Sequence, residues 1–196
     1  MLADLLKDKH LILASGSPRR QTFFKELDIP FTINPRPVDE NFDPALKGTA
    51  ITDYLAQKKA TAFPDLVPGD ILVTSDTIVW NKEQALNKPE HAQEAFEMIQ
   101  SLSGTTHQVM TSVCFTTTKQ QITINDTTRV TIKNLSPEEI KYYIDHYQPY
   151  DKAGGYGVQE WFGYIAVTHI EGSYFNVMGL PMHKVYETLI ELGSHD

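Results

Sequence analysis

The sequence has almost no cysteine, fewer bases than acids, and no long apolar run. Cys114 is the one cysteine among 196 residues, so no internal disulfide can staple the fold and no thiolate zinc cluster can form. Every apolar stretch stops short of the roughly 20 residues that a membrane span needs. The first eight residues, Met1-Leu2-Ala3-Asp4-Leu5-Leu6-Lys7-Asp8, mix acids into a stretch that a secretory leader would keep basic and then apolar. A cytoplasmic protein with no membrane partner is the simplest expectation. With 17 bases against 25 acids and a net charge of −8, little is left to build a basic face, which argues against a nucleic acid polymer as partner. Also missing are a Gly-x-x-x-x-Gly-Lys-Ser/Thr phosphate loop, a Gly-x-Ser-x-Gly elbow, and metal-ligand spacing among the seven histidines.

What is present is an ordinary globular composition, 41% hydrophobic and 21% charged. Strand-like and helix-like stretches alternate with short breaks, which predicts an α/β architecture. Leu11–Ala14 and Ile71–Val73 are apolar runs of buried-strand type, the second leading into Ser75-Asp76-Thr77. Helices are predicted through Leu27, over Thr49–Phe63, over Ala92–Leu102 with Gly104 as its cap, and after Ser136-Pro137-Glu138-Glu139, which combines a capping box with an N1 proline. Val109–Thr118 and Gln121–Lys133 read as paired strands. Phe162–Ile170 and Ser173–Val177 also read as strands, and Leu180–Leu192 as a closing helix. No repeat or linker interrupts the chain, so residues 1–196 are expected to form one domain, with room for two lobes.

Three places have the residue types for chemistry. In Ser15-Gly16-Ser17-Pro18-Arg19-Arg20, Ser17 is a good N-cap and Pro18 a good first helical residue, which puts both arginines in the first turn. Positive side chains are disfavoured there, because the free N–H groups already make that end positive. They make sense if an anion binds, although both could instead face solvent or pair with Asp39 and Glu40. Asp76 follows an apolar strand, where ligands sit in open α/β sheets, and its carboxylate could hold a metal or take a proton. It could equally form a turn with its own backbone. Asp151-Lys152-Ala153-Gly154-Gly155-Tyr156-Gly157-Val158-Gln159 lets the backbone approach a ligand closely, with Lys152 available to phosphate and Gln159 to a base edge, or it is a plain surface loop. Lys59 and Lys88 are further candidates for positive charge.

Taken together, these segments resemble the Maf family of nucleoside triphosphate pyrophosphatases. The resemblance begins at Leu13–Arg20 and continues through Asp39-Glu40, Lys59-Ala60, Asp76–Val79, Lys88-Pro89, Leu102–Gly104 and Asp151–Gln159, ending with Glu171–Ser173 and Asn176–Pro181. It implies a mixed twisted sheet flanked by helices in two lobes around a cleft, similar to the inosine triphosphate pyrophosphatases. It also implies hydrolysis of a nucleoside triphosphate to monophosphate and pyrophosphate, with a divalent cation, Mg²⁺ or Mn²⁺, held by Glu40 and Asp76. Asp76 is then the catalytic base, and Ser15, Ser17, Arg19, Arg20, Lys59, Lys88 and Lys152 contact substrate. Arg19, Thr77 and Gln159 match the dTTP/UTP branch; a branch acting on 7-methyl-GTP carries Trp, Gln and Glu at these positions. Modified pyrimidine nucleotides are conceivable substrates, and a homodimer is implied. The family was first associated with inhibition of septum formation, so a regulatory or partner-binding role is the alternative. Lys58-Lys59 offers two adjacent lysines, of which Lys59 precedes alanine as in the family motif. Trp80 and Glu160-Trp161 are bulkier than the branch pattern.

Overall fold

His10-Leu11-Ile12-Leu13 is exposed at its first residue and buried at the next three, as a strand covered on both faces must be. It is the first strand of the computed structural model, which describes residues 1–194; the last two positions of the expected 1–196 domain lie outside the described residues. In order, the elements are α1 (Leu2–Leu5), β1 (His10–Leu13), α2 (Pro18–Glu26), β2 (Thr32–Ile33), α3 (Thr49–Ala60), β3 (Asp70–Asn81), β4 (Gln84–Leu86), α4 (Ala92–Leu102), β5 (Thr106–Thr116), β6 (Gln121–Ile132), α5 (Pro137–Tyr147), a 3₁₀ turn (Ala153–Gly155), α6 (Trp161–Ala166), β7 (Val167–Glu171), α7 (Tyr174–Val177) and α8 (Met182–Ser194). The seven strands form a mixed sheet of order β2-β1-β3-β5-β6-β7, with β4 against β3. β1 runs parallel to β2 and β3, while β4 is antiparallel to β3 and β7 to β6.

The described chain divides into two compact units. The first comprises Met1–Asp76, Thr111–Asp126 and the stretch from Gly179 onward; the second comprises Thr77–Met110 and Thr127–Met178. In the first unit, α3 packs Ala56 and Ala60 against Ile12, Leu72 and Cys114. The strand period of two puts Leu72, Thr74 and Asp76 on one face of β3, the face toward α3. Thr74 confirms the packing, since its hydroxyl donates to the Ala56 carbonyl at 2.6 Å. Asp76 is the next residue on that face, and Lys59 lies about one helical turn beyond Ala56.

The second unit has its own core, built from Val79 on β3, Ala95, Ile99 and Leu102 on α4, Val130 and Ile132 on β6, Ile140, Tyr143 and Ile144 on α5, and Phe162 and Ala166 on α6. The α5 residues recur at i, i+3 and i+4, the spacing of one buried helical face. Its start is as predicted: Ser136 and Glu139 cap each other's backbone N–H groups and Pro137 occupies the first turn.

Two expected strands are corrected. Trp161–Ala166 is helical, and only Val167–Glu171 continues as a strand. The apolar run looked like a strand, but burial of Phe162 and Ala166 four residues apart matches a helix face. A Cβ at Gly163 would run into the Val158 carbonyl, so glycine lets this helix lie directly on the preceding backbone. Tyr174–Val177 is also a helical turn, because the Ser173 side chain caps the Asn176 N–H. The Asn176 amide then donates to the Val109 carbonyl and to Thr128. Among the described residues, no helix is long and apolar enough to cross a membrane.

Candidate active site

In the first unit, the β1–α2 junction places Ser15, Ser17, Arg19 and Arg20. Ser17 is the N-cap of α2 with Pro18 in the first turn, as the sequence predicts. The Ser17 side chain makes no cap; instead its N–H donates to the Ser15 hydroxyl at 3.3 Å. Arg20 reaches inward: Nε donates to the Gly179 carbonyl at 2.9 Å and Nη1 to the Ser75 carbonyl at 3.1 Å. Burial lowers its pKa to about 10, against the opposing pull of Asp76 and Glu40. Two bonds to carbonyls fix the guanidinium near the middle of β3, beside Asp76, with its charge uncancelled by either bond. The sequence suggests a strand end at Ser75-Asp76, but β3 runs on to Asn81, so Asp76 lies within the strand.

Lys59 joins the two acids. Its Nζ lies 2.7 Å from Asp76 Oδ1 and 2.9 Å from Glu40 Oε1, so one ammonium is shared by a buried and an exposed carboxylate. Burial raises the Asp76 pKa above the usual carboxylate range, and Lys59 and Arg20 pull it back. A desolvated carboxylate of this kind is a better proton acceptor than one in water. The adjacent Lys58 goes elsewhere: its Nζ donates to the Asn41 carbonyl at 2.8 Å and lies 3.5 Å from Asp39. Thus both lysines grip the 39–41 segment, and Lys59 alone of the pair meets Asp76.

Glu40 and Asp76 fit a hard divalent cation. Both are oxygen donors, and both already converge on one positive charge. Among the described residues no group of three or more His, Cys, Asp or Glu side chains gathers for a metal. Two protein carboxylates with the remaining positions left to water and phosphate is the pattern Mg²⁺ favours.

In the second unit, Thr77 is the residue after Asp76 on β3. Lys88 is exposed in the irregular stretch after β4. The 151–160 segment lies beside that stretch, since the Gly154 N–H donates to the Asn87 carbonyl at 3.1 Å. Gly154 has φ +71, and a Cβ there would lie 2.7 Å from Val79 Cγ2, so this position requires glycine both for its backbone and for space. Lys152 is only 8% exposed, with Nζ 2.7 Å from Asp151 Oδ1 and 3.0 Å from Glu160 Oε1. Gln159 is half-buried between Val158 and Glu160. Trp161 lies nearly parallel to the Tyr143 ring at a centroid distance of 6.5 Å and tilted against Tyr142 at 4.9 Å.

Sequence reasoning missed the backbone partners. The Ser75 and Gly179 carbonyls that hold Arg20 carry no side-chain signature, and their 55- and 159-residue separations from Arg20 leave no local pattern. It also missed Tyr143, whose aromatic helix position reads as plain core.

In the first unit, an acidic pair on a shared ammonium beside a cation-bearing helix start is an arrangement able to receive phosphate. The Maf-like protein family model matches residues 10–192, and the chain belongs to that family. It is 58% identical over 193 residues to the dTTP/UTP pyrophosphatase of Flavobacterium johnsoniae, covering 98% of this chain and 100% of that one. It is 54% identical over 193 residues to the dTTP/UTP pyrophosphatase of Christiangramia forsetii, covering 98% of each. The dTTP/UTP pyrophosphatase of Bacteroides fragilis is 47% identical over 194 residues, covering 98% and 100%. Among solved structures, a Ham1 protein from Coxiella burnetii aligns over 93% of this chain and 99% of its own, with a TM-score of 0.48 and 11% identity.

Proposed function

We propose that this Maf-family chain hydrolyses nucleoside triphosphates, chiefly dTTP and UTP, to the monophosphate and pyrophosphate. The observation that carries the reading is the convergence of Asp76 and Glu40 on Lys59 beside the middle of β3, with Arg20 pinned alongside. The dTTP/UTP pyrophosphatase names of relatives at 47–58% identity over 98% of the chain support the same substrate class.

In this reading Asp76 accepts a proton from the water that attacks the α-phosphorus, as the bond to the bridging oxygen of pyrophosphate breaks. Its burial raises its basicity, and the Lys59 ammonium pulls in the opposite direction, toward the ionised form. The triphosphate lies along the α2 start, where Ser15, Ser17, Arg19 and Arg20 offer hydroxyls and guanidinium forks to its oxygens. Lys59 and Lys88 offset the charge that builds on the leaving pyrophosphate. Glu40 and Asp76 would hold a divalent cation, Mg²⁺ or Mn²⁺, which when bound neutralises phosphate charge and acidifies water. Arg19, Thr77 and Gln159 select the base. A pyrimidine 2,4-dione edge presents a donor between two acceptors, which an amide and a hydroxyl can match in part. Modified pyrimidine nucleotides share that edge and belong to the same substrate class. A homodimer and a cytoplasmic setting complete the reading, resting on the family resemblance and on composition; light scattering checks the first.

The decisive experiment is chromatographic identification of products from dTTP, UTP, CTP, GTP and 7-methyl-GTP with Mg²⁺ or Mn²⁺. Monophosphate and pyrophosphate from dTTP and UTP are expected. Diphosphate and phosphate would overturn α-phosphorus attack. Asp76→Asn is expected to lower kcat by at least ~10²-fold, the scale of one lost general base.

A further inference from the structure

Glu160 is one of the residues, with Trp80 and Trp161, that are bulkier than the branch pattern, and its carboxylate uses both oxygens. Oε2 accepts a hydrogen bond from the Tyr143 phenol, and Oε1 lies 3.0 Å from the Lys152 ammonium. The Tyr143 oxygen in turn accepts the Gly157 N–H at 2.9 Å, and the Gly157 carbonyl accepts the Glu160 N–H at 3.2 Å. Tyr143 is wholly buried on α5, and burial together with Glu160 raises its pKa far enough to keep the phenol a donor. A Cβ at Gly157 would lie 2.8 Å from Glu160 Cδ and 3.0 Å from Lys152 Cε, so glycine here leaves the space that the carboxylate and ammonium fill.

The segment is therefore tied down at Lys152, Gly157 and Glu160, all within the second unit. Gln159 sits between the last two ties. In a site with little water such bonds are strong, and an orphaned partner is costly.

We infer that Glu160 and Tyr143 are positioning residues for base selection, clamping the backbone on either side of Gln159 so that its amide meets one base edge. This rests on the reading that Gln159 contacts the base. Lys152, which the sequence offers to phosphate, acts here through the loop, because its ammonium is engaged by Glu160 and Asp151. Trp161, stacked on Tyr143, extends the same support.

The test compares kcat/KM for dTTP, UTP, CTP and GTP in the wild type, Tyr143→Phe, Glu160→Gln and Gln159→Ala, and in Gln159→Ala combined with each of the other two. Thermal unfolding of each variant is run alongside; should Tyr143→Phe fail to fold, Glu160→Gln carries the comparison. The preference for dTTP over CTP is expected to fall about tenfold in Tyr143→Phe and Glu160→Gln, within the range that a misaligned polar contact costs. In the Gln159→Ala background neither change should lower the preference further, a coupling that a purely structural role does not produce. Equal losses on all four nucleotides, or additive losses of preference, overturn the proposal. If Gln159→Ala leaves the preference intact, the base-contact reading falls and takes the clamp with it. If Gln159→Ala abolishes the preference while the other two variants keep it, only the clamp is wrong.

Discussion

Lys58 and Lys59 are adjacent on α3 but end on different chemistry: Lys58 Nζ lies 2.8 Å from the Asn41 carbonyl, and Lys59 Nζ lies 2.7 Å from Asp76 Oδ1. Successive helical residues point about 100° apart, so one lysine faces Asp76 on β3 and the other the flank of the 39–41 segment. Replacing each with methionine separates the roles. Lys59→Met should lower kcat/KM for dTTP by at least ~10²-fold, the effect of removing one charged donor from a polar site. Lys58→Met should cost less than ~10-fold, since partly exposed ion pairs contribute little. Steady-state kinetics on the two variants checks this, and equal losses would mean the ammonium at Asp76 has no special part.

Gln159→Glu replaces a donor and acceptor with an acceptor alone. Catalysis on dTTP and UTP should fall by about tenfold or more, because a buried polar edge is left unmatched. Losses on GTP should be smaller. Competition between dTTP and GTP in one reaction reads the ratio directly.

Gly154→Ala adds a methyl group 2.7 Å from Val79 Cγ2 at a backbone φ of +71. Neither the strand nor the loop can yield without disturbing the second unit's core. A destabilisation of at least ~2 kcal/mol is expected, lowering Tm by several degrees. Calorimetry measures it, and an unchanged Tm would mean that the Asn87–Gly154 contact is soft.

His107 is buried with Nε2 on the Tyr156 hydroxyl and Nδ1 without a partner, and burial lowers its pKa from 6.5 to about 4. The unfolded chain takes up a proton at this residue below pH 6.5, whereas the folded chain resists until about 4. Stability is therefore full above pH 6.5 and declines as the pH drops toward 4. Between pH 7.5 and 5 the loss from this one group should be about 2 kcal/mol. His107→Gln, which keeps a hydrogen-bonding side chain that does not titrate, should flatten this part of the urea-midpoint profile.

Much of the first unit was legible because its signals are local. Ser17-Pro18 marks a helix start, and the helix appears there. The apolar run into Ser75-Asp76 marks a strand, though β3 continues past Asp76 to Asn81, and Asp76 is where α3 delivers Lys59. The second unit hid more. Trp161–Ala166 is rich in aromatic and β-branched side chains, and its helix is decided by Phe162 and Ala166 packing into a distant core and by Gly163 lying on Val158. Tyr174–Val177 reads as extended until Ser173 is seen capping Asn176. β2 and β4 span only two and three residues, too short for a period to show. The Glu160–Tyr143 pair joins positions 17 residues apart, with no spacing rule to announce it.

The bond from Arg20 to the Gly179 carbonyl also bears on synthesis. The first unit is assembled from three separate stretches of chain, and the last begins at Gly179. On the ribosome, Arg20 therefore waits for a partner made 159 residues later. Domains usually fold as units while the chain emerges, N-terminal parts first. Here the second unit's last stretch ends at Met178 and leaves the tunnel before Gly179, so the unit that holds Asp76 and Arg20 is the later one to close. A nascent chain stalled before Gly179 would carry Asp76, Glu40 and Lys59 without the carbonyl that completes Arg20's anchorage, and so would have the site's chemistry without its finished geometry.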